Sequence, residues 1–129
     1  MNANVTRRDM DALTESVIGC AYAVGNKRGC GFLEKVYENA LCLELRKKRI
    51  GAEQQYPLSV YYDGIVVGEY FVDILVERRL LLVLKAVQRF DEVHMAQCIN
   101  YLKATGLSVG LLLNFGAAKV QVKRIVRGY

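Results

Sequence analysis

A lysine inside LLLVLKAV and an aspartate inside YFVDILV are the residues least at home in their surroundings. Lys85 interrupts a run that is otherwise apolar, and a lysine is seldom buried without a carboxylate beside it. Asp73 interrupts a β-branched and aromatic run in which aspartate is disfavoured. A cross-strand ion pair is the economical account of both. Each also has a plainer reading: Lys85 at a strand end, reaching to water along its own stem, and Asp73 as a charge that blunts a sheet edge. Glu34 is a third unusual residue, a carboxylate placed by helix geometry at the border of an apolar stripe, between Leu41 and Leu45. His94, Gln97 and Tyr101 fall within about 60° of one another on a later helix and form a polar stripe, and such stripes often border clefts. A lone histidine is more often a bystander than a ligand or a base. No P-loop, GxSxG elbow, zinc spacing or dinucleotide fingerprint occurs, which removes the chemistries those motifs serve.

These side chains need elements to hold them. Apolar Leu13, Val17, Cys20, Ala21 and Val24 recur at helical spacing, so a helix is expected from about Thr6, a plausible N-cap, to Val24, ending near Gly25 and Asn26. After the glycine-rich turn NKRGCG, Phe32 to Arg49 reads as a second helix with Leu33, Val36, Ala40, Cys42 and Leu43 on its apolar side, closed by Gly51. From Tyr56 the period shortens, and two β-rich runs flank Asp63-Gly64, a strong hairpin signal. Leu80 to Val87 is almost continuously apolar, as in a strand covered on both faces. Asp91 to Ala104 is helical again and stops at Gly106, and Val109–Phe115 and Lys119–Val126 supply two last strands. The order ααβββαββ predicts an α/β, or α+β, fold with a mixed sheet.

At 129 residues, 53% hydrophobic and 24% charged, with one proline, the chain has the makeup of one folded domain over 1–129 and lacks that of a disordered segment. A net charge of +5 favours polyanionic partners without naming one. Cys20, Cys30, Cys42 and Cys98 show no CxxC pairing and read as buried free thiols of a reducing cytoplasm. The N-terminus has no apolar signal region and no segment is long enough to span a membrane, so a cytoplasmic location without membrane contact is expected.

The stretch GFLEKVY, Gly31 to Tyr37, resembles the signature of the GxxExxY protein family. The likeness continues in order through the hairpin YPLSVYYDGIVVGEYFVDILV, the lysine strand LVLKAV, and HMAQCINYLKATGLSVGLLLNFG, which resembles an HxxQxxxYL helix with its following strand. That family is similar to compact members of the PD-(D/E)XK nucleases, so the resemblance implies a restriction-endonuclease-like αβββαβ core with an extra N-terminal helix. It further implies Mg²⁺- or Mn²⁺-dependent phosphodiester hydrolysis on DNA. Carried over residue by residue, Glu34 is the helix carboxylate, Asp73 the metal-binding aspartate and Lys85 the lysine beside the attacking water. Gln97 and Tyr101 resemble the accessory QxxxY pair.

Phosphodiester hydrolysis needs a cation on the phosphoryl oxygens, an in-line water and a nearby positive charge. The family pattern puts a second carboxylate two residues before the lysine, about 6.6 Å along the strand. Here that residue is Val83. Glu34, Asp73 and the Leu84 backbone carbonyl remain as metal oxygens. Glu69 and Glu77 lie too far along their strand to substitute, Glu92 faces away, and Asp91 is the weak remaining candidate. Two readings follow: a nuclease weakened at Val83, or a catalytically inactive module of the same fold that binds nucleic acid or protein. A homo-oligomeric adaptor without a nucleic-acid role is the third.

Overall fold

The computed structural model describes residues 3–128, and side-chain surroundings for residues 8–128. Helix α1 spans Ala3–Arg28, α2 Glu34–Lys47 and α3 Glu92–Thr105. The strands are β1 Ala52–Tyr62, β2 Ile65–Val76, β3 Leu80–Lys85, β4 Val109–Asn114 and β5 Gln121–Val126, in the sheet order β1-β2-β3-β4-β5. Only β3 and β4 run parallel, because α3 carries the chain back over the sheet between them. The mixed α/β class and the element order expected from the sequence are those observed. The backbone of α1 is already helical at Ala3, ahead of the expected Thr6 cap, whose side chain lies outside the described ones.

Every residue of β3 before Lys85 is buried, and so is all of β4. Alternation sorts them into two cores. Leu80, Leu82, Leu84, Leu111 and Leu113 pack under α1 and α2, against Val17, Leu41 and Leu45. Leu75, Leu81, Val83 and Leu112 pack under α3, against Cys98 and Leu102. The β1–β2 turn is as the sequence signalled: Asp63 and Gly64 take φ of 51° and 76°, the left-handed pair that a two-residue hairpin needs.

Helix α2 corrects the sequence reading. Its buried face is Tyr37, Glu38, Leu41, Cys42 and Leu45, while Leu33, Val36 and Leu43, expected to face the core, are exposed. The side that α1 and the sheet cover sets this choice, and apolar spacing alone allowed either stripe. Tyr37 explains the glycine-rich turn. Fully buried, it stacks on Phe115 with ring centroids 4.7 Å apart. Its hydroxyl donates to the Gly29 carbonyl at 2.7 Å and accepts the Phe32 N–H at 3.2 Å. Cys30 sits on that turn and is exposed, contrary to the expectation of four buried thiols. Burial pushes the Cys42 thiol up to about 11 and the Cys98 thiol up to about 12, so both stay protonated.

Candidate active site

Strands β2 and β3 part company at Asp73. Their pairing covers Ile74↔Leu82, Leu75↔Leu81 and Val76↔Leu80, after which β3 continues beside β4 to Lys85 while β2 continues beside β1. Asp73 stands in the resulting fork. Its Oδ2 accepts the Leu84 N–H at 2.7 Å, a bond that a β2 carbonyl would otherwise take. In a strand the N–H and C=O of one residue point the same way, so the Leu84 carbonyl also opens into the fork. On the other side of Asp73, Gln55 adopts φ 53°, and the β1–β2 ladder skips the Gln55–Asp73 pair.

Glu38, one turn beyond Glu34, is the acid that reaches this fork. Only 3% exposed, it accepts Gln55 Nε2 on Oε1 at 2.8 Å and Gln54 Nε2 on Oε2 at 2.7 Å, with Lys35 Nζ on Oε2 at 2.9 Å. Glu34 is exposed in the first turn of α2. It shares roughly the bearing of Leu41 and Leu45 but lies at the helix end, past the strands that cover its neighbours. The signal for Glu38 was in the sequence: it precedes Leu41, Cys42 and Leu45 by three, four and seven residues, the middle of the stripe that becomes buried.

Burial pushes the Asp73 carboxyl above the ordinary aspartate range. The Leu84 N–H opposes that shift, the Glu38 charge adds to it, and Lys85 and Gln55 pull against it. An acid whose folded value is raised favours the folded state most below its unfolded value, near 3.9, and loses that contribution as pH rises through the folded value. Asp73→Asn is therefore expected to unfold at a higher temperature than the parent at pH 8, with the gap closing toward pH 3. Melting curves across that range check it, and a gap that widened on acidification would contradict the assignment.

The expected Asp73–Lys85 ion pair does not form. Among the described residues no carboxylate lies within ion-pair distance of Lys85, which is half-buried at the end of β3 and acts on Asp73 from further off. The Leu84 amide takes the partner role instead. Lys85 is held from the other side: its carbonyl accepts the Phe115 N–H at 2.9 Å, and fully buried Asn114 clamps the following loop. Asn114 Oδ1 accepts the N–H groups of Val87 at 3.0 Å and Gly116 at 2.9 Å, while its Nδ2 donates to the Val87 carbonyl at 2.9 Å.

Gln97 and Tyr101 are brought together: Gln97 Nε2 donates to the Tyr101 hydroxyl at 3.1 Å. They line a groove of about 790 Å³ between α3 and the β1–β2 hairpin, whose lining does not include Glu38, Asp73 or Lys85. His94 is accounted for locally. It accepts the Asp91 N–H on Nδ1 at 3.2 Å, and Asp91 in return caps the Val93 N–H at 2.7 Å. That reciprocal box occupies Asp91, the acid left as a weak replacement for the carboxylate missing at Val83.

Among the described residues no group of three or more His, Cys, Asp and Glu side chains assembles a cation site. Both oxygens of Glu38 and one of Asp73 already accept N–H groups, and Gln55 bonds Asp73 as well, which leaves little beyond the Leu84 carbonyl. Magnesium wants six oxygens in a near-ideal octahedron. This donor set does not complete a cage for it.

The family model of the PD-(D/E)XK nuclease superfamily matches residues 11–125, nearly the whole chain. The chain belongs to that superfamily. Among solved structures it is similar in fold to the crystal structure of SSO0001, with a TM-score of 0.59 and 14% identity over 74% of this chain. It spans about half of that protein, 51% of its length. No curated protein matches the sequence. Asp73 lies on β2 and Lys85 ends β3, and among the described residues no helix is long and apolar enough to cross a membrane.

Proposed function

We propose that the chain is a DNA-binding domain of the nuclease superfamily, close to the GxxExxY proteins, whose hydrolytic site is impaired at Val83. The observation that carries this reading is the placement of Val83: it is 2% exposed, packed under α3, and level with Asp73 in the register that pairs Ile74 with Leu82. A carboxylate there would project to the α3 side of the fork in which Asp73 stands, one step beyond the last β2–β3 pair. Valine supplies packing and no ligand.

In this reading Asp73 and Glu38 are what remains of the acidic set, with Glu38 in the place first expected of Glu34. Magnesium or manganese would supply Lewis-acid stabilisation of the phosphoryl oxygens in a complete site; here Gln54, Gln55 and Lys35 occupy Glu38, and the donors left do not make one. Lys85, without an ion-pair partner among the described residues, offers its ammonium to a phosphate oxygen. Gln97 and Tyr101 orient the strand that lies along α3. Gln54, Gln55 and Lys35 tie up the Glu38 oxygens, which favours retention of nucleic-acid binding over catalysis.

Calorimetry and a salt titration test this together. Mg²⁺ and Mn²⁺ should give no saturable binding below about 1 mM, since loss of even an outer partner weakens metal sites on the order of 10-fold to 100-fold. DNA should still bind, with log K falling linearly in log salt, as phosphate contacts require. Micromolar metal affinity would show a complete site, and absence of any DNA binding would leave the nucleic-acid role without support.

A further inference from the structure

The β1–β2 hairpin runs well past the body of the sheet, since β3 pairs with only the last three residues of β2. Its aromatic side chains are largely uncovered: Tyr61 is 64% exposed and Tyr70 49%. Both line the groove against α3, where the Tyr70 ring meets Tyr101 at 6.0 Å between centroids, tilted by 50°. The tilted contact is not a stacked one, and about half of Tyr70 stays open to solvent. Among the described residues the groove lining contains no acidic side chain, and its single charge is Lys103. Amides of Gln97 and Asn100 stand among the apolar walls.

We propose that this groove binds unpaired nucleobases of a single strand, which stack on Tyr70 and Tyr61. The inference rests on the DNA-binding reading above and names the form of nucleic acid that the domain selects. A ring face flanked by amides and one cation, with no carboxylate to repel phosphate, matches the stacking platforms that bind single strands. Bases inside a duplex already stack on each other and cannot lie on a tyrosine. The groove has the volume for about one or two nucleotides at the upper end of ordinary ligand pockets. It also lies near the fork: Tyr70 precedes Asp73 by three residues on β2, roughly 10 Å along the strand.

The test uses the full chain and a fluorescein-labelled oligothymidylate of about 12 nucleotides beside a duplex of the same length, a span that covers common single-strand site sizes. Anisotropy should show the single strand binding more tightly than the duplex. Tyr70→Ala should weaken single-strand binding about 10-fold with no change in duplex binding, while Tyr70→Phe keeps the ring and stays within about 2-fold. Lys103→Ala should lower the salt slope by about one phosphate contact. Melting curves confirm that the variants fold, and Tyr61→Ala, at a more exposed position, repeats the test. Equal affinity for single strand and duplex, or no loss in either tyrosine variant, would overturn the stacking site while leaving the DNA-binding reading intact. Failure of both probes to bind would overturn that reading itself. Concentration-dependent self-association abolished by Tyr70→Ala would assign the groove to a second copy of the chain and overturn the proposal.

Discussion

Glu38→Ala lowers the free energy of unfolding by about 3 kcal/mol at neutral pH, and Glu34→Ala changes it by less than about 0.5 kcal/mol. The contrast follows from what each carboxylate touches. Glu38 is buried and accepts N–H groups from Gln54, Gln55 and Lys35, joining α2 to the start of β1. Hydrogen bonds to a charged acceptor contribute about 1.5 to 3 kcal/mol each. The three are not additive, because the exposed ammonium of Lys35 recovers water when released, and the removal relieves Asp73 of a like charge. The result is a net loss near that of one to two such bonds. Glu34 is exposed at the helix start, where a carboxylate contributes only a modest interaction with the helix dipole. Urea titrations of the two variants check the pair. Equal losses would mean that the fork does not depend on Glu38.

Asn114→Ala costs about 3 kcal/mol and loosens the chain after Lys85. Asn114 is fully buried, and its amide also donates to Gln121 Oε1 at 2.9 Å, in addition to its bonds to Val87 and Gly116. Alanine strands the half-buried N–H and C=O groups of Val87 and the N–H of Gly116, and each polar group left unsatisfied costs about 1 to 3 kcal/mol. Hydrogen exchange at the Val87 and Gly116 amides should accelerate in the variant well beyond exchange at mid-strand Leu111. A stable variant with protected Val87 would show that Gly116 alone, where any Cβ would collide with the backbone of Ala86 and Val87, holds the loop in place.

Much of this architecture was readable from residue types. The period change at Tyr56, the Asp63-Gly64 turn and the unbroken apolar runs of β3 and β4 each have one structural solution, and the chain adopts it. Asp73 and Lys85 stand out in the sequence because each breaks an apolar run, and the structure puts Asp73 in the fork and Lys85 at the end of β3. Their partners were not readable. Asp73 is satisfied by a backbone N–H, and a main-chain donor has no signature in sequence. Gln54 and Gln55 reach Glu38 only because β1 kinks at Gln55, a left-handed residue without the usual glycine or asparagine to announce it. Helix α2 could bury either of two overlapping stripes. Only the packing of α1 and the sheet decides that Glu38 goes inside and Leu43 outside.

In the proposed function, Val83 occupies the place of a missing carboxylate on an otherwise retained nuclease scaffold. The most direct measurement is cleavage of single-stranded and double-stranded DNA in Mg²⁺ and in Mn²⁺ by the parent chain, by Val83→Glu, and by Val83→Glu with Asp73→Ala, at a temperature where melting curves show all three folded. A glutamate at 83 displaces packing against the α3-side core, so a lower melting temperature is expected alongside the gain in function. Little or no cutting is expected of the parent, at least about 100-fold more of Val83→Glu, and a return to the parent level when Asp73 is removed. A parent chain that already cuts as fast as Val83→Glu, or a Val83→Glu variant that binds metal and remains inert, would contradict the proposed function.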